Sequence, residues 1–243
     1  MKIFSKTLFI LFLTTLHVNA QDTTYYDIDR ARVTDLTEAH YYVIVNEESK
    51  VTRSYFMDGS IKSERTYFSE EKKVVHGERK EWYENGQLRW NARYRINELD
   101  GEILGYWENG ALKRKDLYER GKLIKSGLWD QDGQEIEHYP FEVKAEYKGG
   151  RRAISRFLSG NLVYPERDLQ AGIEGKVMLE FKVKKDGSMS DIRITQSATT
   201  GMDEEALRVV TLMKDLNHWT PGMLDGEYIT TLFSLPISFA LQD

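Results

Sequence analysis

Hydrophobic and polar positions alternate along much of this chain and then change period. Val177, Leu179, Phe181 and Val183 alternate with Met178, Glu180 and Lys182, the period of a strand with one buried face. Asp186-Gly187 is a hairpin signal, since glycine takes positive φ without steric cost. Ile192 and Ile194 resume the alternation on the return strand. Met202, Ala206, Val209, Val210 and Met213 then fall at helical spacing, with Thr200 and Asp203 placed as a capping box. Trp219-Thr220-Pro221-Gly222 ends the helical region, because proline has no N–H and fixes φ. Ile229, Thr231 and Phe233 alternate again, and the strand runs past Pro236 to Phe239. A proline inside a strand is tolerated at an edge or a bulge, so the last strand reads as an edge.

Upstream the pattern is repetitive. Phe56-Met57-Asp58-Gly59, Tyr83-Glu84-Asn85-Gly86, Trp107-Glu108-Asn109-Gly110 and Asp130-Gln131-Asp132-Gly133 align, with glycines 27, 24 and 23 positions apart. Three of them are followed by a similar tail: Ser60-Ile61-Lys62, Gln87-Leu88-Arg89 and Ala111-Leu112-Lys113. A second glycine turn is expected between units at His76-Gly77-Glu78, Asp100-Gly101-Glu102 and Arg120-Gly121-Lys122. The physical reading is an all-β array of tandem hairpins, each aromatic before the turn packing on the next unit. Single hairpins do not stand alone in water, so neighbours stack to bury a shared face. The alternating Lys, Arg and Glu of the repeat strands read as a solvated face.

The connecting stretches read less sharply. Tyr41 to Val45 is rich in β-formers and enters the repeats, while the polar stretch before it reads equally as a short helix or a loop. Phe141 to Tyr147 alternates weakly, and Gly149-Gly150 is the best domain boundary. Arg151 to Leu158 reads as a short helix, and Pro165 opens another that Gly172 closes. Residues 1–20 read as a cleaved export signal: Lys2 and Lys6, an apolar run from Leu8 to Leu16, and the small-residue pattern Val18-Asn19-Ala20. The alternative, an uncleaved anchor, needs about 20 apolar residues to span a bilayer. The expected organisation is therefore a signal over 1–20, a hairpin-repeat domain over 21–148 and a terminal domain over 149–243.

Composition narrows the function. At 243 residues the chain holds one large or two small domains. Its net charge is −5, and −5 − 2 = −7 without Lys2 and Lys6, which argues against nucleic acid as a partner. Cysteine is absent, which excludes disulfides, thiol catalysis and Cys-ligated zinc. The five histidines form no metal motif, and there is no GxSxG, phosphate-binding loop or dinucleotide fingerprint. Asp203-Glu204-Glu205 complements the dipole of a helix first turn, and Trp219 reads as core. No enzyme, cofactor or metal site is expected.

Two resemblances follow from these residues. Tyr83-Glu84-Asn85-Gly86-Gln87-Leu88-Arg89 and its equivalents resemble MORN-type repeats. Tyr164-Pro165, Gly175-Lys176-Val177, Phe181-Lys182-Val183, Asp186-Gly187, Asp203-Glu204-Glu205-Ala206, Trp219-Thr220-Pro221-Gly222 and Leu235-Pro236-Ile237-Ser238-Phe239, in that order, resemble the C-terminal domain of the TonB family. That family couples inner-membrane energy to outer-membrane transporters. The family's Pro-rich spacer has no counterpart here, since no proline lies between Gln21 and Tyr139.

The TonB resemblance implies an α+β domain of two helices on a three-stranded antiparallel sheet. It implies a periplasmic protein. It also implies a partner, an N-terminal peptide segment of a TonB-dependent outer-membrane transporter added beside the last strand. Here that edge is expected at Tyr228, Ile229, Thr230, Thr231, Leu232, Phe233 and Ser234. The alternative is an envelope scaffold acting through the repeats, with the terminal domain forming a homodimer by the same edge.

Overall fold

The structure, a computed structural model, describes residues 23–241 except 29, 31, 70–73 and 217. The expected export signal lies outside the described residues. The chain divides into two compact units between Ile136 and Glu137.

The first unit is one antiparallel sheet. Its strands are β1 (Thr23–Tyr26), β2 (Arg32–Val33), β3 (Tyr41–Asn46), β4 (Val51–Phe56), β5 (Ile61–Ser69), β6 (Val74–Trp82), β7 (Leu88–Arg95), β8 (Glu98–Tyr106), β9 (Leu112–Glu119) and β10 (Lys122–Lys125). From β3 to β10 each strand pairs with its sequence neighbours, as a hairpin array must. The expected turns recur with one geometry. Tyr83 N–H donates to the Gln87 carbonyl (2.9 Å) and Gly86 N–H to the Tyr83 carbonyl (3.0 Å). The same two bonds close Phe56–Ser60, Trp107–Ala111 and Asp130–Gln134, and Gly59, Gly86, Gly110 and Gly133 all have φ between +80° and +90°.

At two of the turns the leading aromatic bridges to the next unit. The Tyr83 hydroxyl donates to the Tyr106 carbonyl (2.9 Å), and Trp107 Nε1 donates to the Trp129 carbonyl (3.0 Å). The basic residue of each tail covers the same aromatic: Lys62 over Phe56 (4.6 Å), Arg89 over Tyr83 (5.5 Å) and Lys113 over Trp107 (4.7 Å). The charged strand positions are not all solvated as expected. Arg114 and Asp116 are buried at 0% and 1% exposure beside Trp90, Ala92 and Ile103 on the inner face.

Two of the expected second turns are bulges instead. Gly77 lies inside β6 and Gly101 inside β8, both at positive φ where the ladder register shifts. A Cβ on Gly77 would stand 3.3 Å from Thr66 Cβ, and one on Gly101 3.2 Å from Arg93 Cβ. Ile96-Asn97 turns the chain between β7 and β8, with both residues at positive φ. Arg120-Gly121 turns it between β9 and β10, as expected for that glycine.

The second unit opens with β11 (Glu142–Val143), β12 (Glu146–Tyr147), α1 (Gly150–Asn161) and α2 (Glu166–Gln170). It continues with β13 (Gly175–Val183), β14 (Met189–Gln196), α3 (Thr200–Asp215), β15 (Trp219–Thr220), β16 (Gly222–Leu224), β17 (Glu227–Ile229) and β18 (Thr231–Phe239). The main sheet has the order β14-β13-β18 and is antiparallel throughout. β11 pairs with β16 and β12 with β15, so Glu142 to Tyr147 joins this unit and not the repeats. That long-range pairing moves the compact-unit boundary ahead of Gly149-Gly150.

Val177, Leu179, Phe181 and Val183 from β13 and Leu235, Ile237 and Phe239 from β18 face Met202, Ala206, Val210 and Met213 of α3 in one core. Burying a side chain of this size is worth about 1.5–3 kcal/mol. Trp219 is core, as its sequence position suggests, with its ring 4.5 Å from Phe233 and 5.4 Å from both Phe181 and Tyr147. α3 is capped by Thr199 rather than Thr200: the Thr199 Oγ1 accepts from Met202 N–H at 3.1 Å. Asp203 reaches back to Ala198 N–H (3.1 Å) and the Ser197 hydroxyl (2.5 Å). Among the described residues there are three helices, against the two implied by resemblance; the five-residue α2 is the short helix expected between Pro165 and Gly172.

Candidate partner-binding edge

β18 is the end strand of the β14-β13-β18 sheet, and among the described residues no strand pairs with its outer side. Its ladder with β13 runs without a register shift from Gly175↔Phe239 to Val183↔Thr231. In an antiparallel ladder, residues that turn N–H and C=O toward one neighbour alternate with residues that turn them away. One hydrogen bond fixes the phase here. The Met178 carbonyl accepts from Thr195 Oγ1 of β14 at 3.4 Å, so it points away from β18. Met178 stands opposite Pro236, and that pair is therefore not hydrogen-bonded. The outward backbone groups of β18 belong to Leu232, Ser234, Pro236 and Ser238; those of Thr231, Phe233, Leu235 and Ile237 face β13. Pro236 sits where a missing N–H breaks no internal bond.

The side chains follow the same alternation. Leu235, Ile237 and Phe239 are buried, while Leu232, Ser234, Pro236 and Ser238 are exposed. Leu232 is 56% exposed, opposite Lys182, whose Nζ is 2.8 Å from the Asp191 carboxylate. Ser234 Oγ donates to Glu180 Oε1 at 3.4 Å, and Glu180 Oε2 accepts from Arg193 at 2.6 Å. The outer face of the sheet is thus a set of paired charges with one large exposed apolar side chain beside the free edge.

The seven residues expected to form this edge do not act as one ribbon. Tyr228 and Ile229 belong to β17 and pair with Met223 and Gly222 of β16 across the Asp225-Gly226 turn. Thr230 is buried between the two strands at 6% exposure. Thr231 and Phe233 turn their N–H groups inward, and Phe233 stacks on Phe181 at 5.4 Å. Only Leu232 and Ser234 of the seven present outward backbone. Pro236 and Ser238, which share their phase, lay beyond the expected range; the proline was the readable signal for that phase.

Residues 160–241 match the family model described as Gram-negative bacterial TonB protein C-terminal. The edge strand, the three-stranded sheet and α3 all lie within the TonB-type segment. Residues 75–89 and 99–120 match the MORN repeat variant, over β6 to β9.

Among solved structures, the chain is similar to the NMR solution structure of the Helicobacter pylori TonB C-terminal domain. The identity is 26%, covering 37% of this chain and 78% of that one, with a TM-score of 0.30. It is also similar to the crystal structure of a GtfA/B complex bound to UDP and GlcNAc, at 14% identity over 79% of this chain and 30% of that one, TM-score 0.22. A comparison with curated proteins gives no match.

Among the described residues, no group of three or more His, Asp or Glu is arranged to hold a metal ion. No described helix is long and apolar enough to cross a membrane.

Proposed function

We propose that this protein is a TonB-like periplasmic binding protein, with no catalytic step, whose strand β18 accepts a peptide segment from a TonB-dependent outer-membrane transporter. The observation that carries this reading is the free outer side of β18, with the backbone of Leu232 and Ser234 turned toward it. Main-chain bonds to an added strand supply affinity, and alternate side chains supply selectivity. The family match over residues 160–241 and the export pattern of residues 1–20 support the same reading.

The test titrates the mature chain, residues 21–243, with synthetic ten-residue peptides from the N-terminal segments of transporters encoded in the same genome. The Leu232 and Ser234 amides should shift in NMR spectra and gain protection from exchange. Binding that perturbs only the repeats would reject this site. It would favour a scaffold acting through the hairpin array.

The homodimer reading is tested on the same sample. A two-fold pairing of β18 with its copy that extends beyond Leu232 and Ser234 meets Pro236 twice, once from each chain, and loses a donor each time. Sedimentation should show a monomer across the working concentration range.

A further inference from the structure

The proline that reveals the phase of β18 also limits what can dock there. Four residues turn outward, but only Leu232, Ser234 and Ser238 carry an N–H. At Pro236 the ring Cδ occupies the place of the donor and points toward the guest. A guest strand that continued past Ser234 would bring a carbonyl to a position with no donor. An unmet acceptor taken out of water is costly, so the ladder stops there.

We infer that Pro236 is the stop that sets the register and length of the guest. The guest is a short extended peptide paired to Leu232 and Ser234, and it ends or leaves the sheet opposite Pro236. This rests on the reading of β18 as a docking edge. The residue flanking Leu232 in the docked guest is apolar, because that exposed side chain is the one large apolar group on its face of the edge. The residue flanking Ser234 is polar, because Ser234, Glu180 and Arg193 form a hydrogen-bonded row there. The guest chemistry is therefore a strand of about four or five residues, apolar at one position and polar two positions away, since side chains on one face of a strand recur every second residue.

The experiment compares peptide affinity for the mature chain and three variants. Pro236→Ala restores the missing donor and should bind about fivefold more tightly, the effect of one added hydrogen bond. Ser234→Pro removes a used donor and should lose at least about tenfold. Leu232→Asp leaves the backbone intact and should lose binding selectively for peptides with the apolar residue. It keeps the test decisive if Ser234→Pro alters folding.

Binding that is weakened by Ser234→Pro but unchanged by Pro236→Ala overturns the stop while leaving the docking edge intact. Failure of the wild-type chain to bind any peptide overturns both. Exchange rates in the free protein give an independent check on the phase: the Leu232, Ser234 and Ser238 amides should exchange fast, and those of Phe233, Leu235 and Ile237 slowly. The reverse order would remove the basis of the inference.

Discussion

Arg114 and Asp116 form an ion pair at 2.6 Å with neither side chain exposed to solvent. They are two residues apart on β9, so both point to the inner face of the repeat sheet. Asp116 also accepts from the Gly127 N–H at 3.4 Å, which ties the pair to the chain beyond β10. Removing one partner takes a charge-assisted hydrogen bond out of the core. Asp116→Ala should cost about 3–5 kcal/mol. Replacing both by apolar residues, Arg114→Met with Asp116→Leu, should cost far less or nothing. Chemical denaturation of residues 21–243 followed by tryptophan fluorescence measures both, because Trp90 shares that face.

The turn geometry of the repeats returns in the TonB-type segment. Lys184 N–H donates to the Ser188 carbonyl (2.8 Å), and Gly187 N–H to the Lys184 carbonyl (2.9 Å), the same two bonds that close the repeat turns. Gly86 and Gly187 have φ of +83° and +82°, so an alanine at either meets the same backbone strain. Their surroundings differ. A Cβ at Gly86 meets nothing within 4 Å, whereas one at Gly187 would stand 2.5 Å from the Trp219 carbonyl oxygen. Gly86→Ala should cost about 1–2 kcal/mol, the price of the left-handed conformation alone. Gly187→Ala should cost clearly more, because the backbone around Trp219 must move. Paired thermal melts of the two variants test this, and equal losses would contradict the close approach.

These two glycines also show what the sequence carries and what it does not. Asn-Gly and Asp-Gly at regular spacing announce the hairpins, and alternation announces β13 and β14, because both signals are local. Gly77 and Gly101 look the same in the sequence but serve bulges. Only the shift in register against β5 and β7 distinguishes them. Ser63, Trp90 and Arg114 each stand four residues after a repeat glycine and occupy equivalent inner positions, so their chemistry does not mark the face. The pairing of Glu142 to Tyr147 with residues 219–224 is long-range and leaves no local trace. The edge was legible as an edge from Pro236. Pro236 also carries the phase, since a residue without an N–H fits only an outward position, and the Met178–Thr195 bond fixes it independently; the outward groups are the alternate set ending at Ser238 and not the expected seven.

That phase separates two proline substitutions three residues apart. Thr231 stands opposite Val183 and turns its N–H toward β13. Thr231→Pro removes an internal ladder donor next to the buried Thr230, and should destabilise the domain by about 1–3 kcal/mol. Ser234 turns its N–H outward, so Ser234→Pro should stay within about 1 kcal/mol of the parent. Urea unfolding of the two variants measures the difference. A Ser234→Pro protein as unstable as Thr231→Pro would contradict the assignment of inward and outward positions.

Acid should loosen the contact between α1 and α3 through Glu205. Its carboxylate accepts from Arg208 Nε and Nη2, both at 2.7 Å, and from Val163 N–H at 2.6 Å, while Arg208 Nη2 also donates to the Asn161 carbonyl at 2.7 Å. The pair therefore pins the chain leaving α1 to the first turns of α3, a specific task beyond complementing the helix dipole. The Arg208 hydrogen bonds, followed by the Val163 N–H, hold the Glu205 carboxyl below its ordinary value of 4.5. A depressed folded-state value means that the unfolded chain takes up the proton first as pH falls. The contribution is complete above the ordinary value and disappears as pH drops through the folded one. Glu205→Gln should cost about 1 kcal/mol at neutral pH, a modest figure because Arg208 is half exposed and its charge is screened. It should also flatten the fall in stability as pH drops from about 5 through the ordinary carboxyl value and below it. Urea midpoints of parent and variant across that window measure both effects; parallel curves would show that Glu205 carries no pH-linked stability.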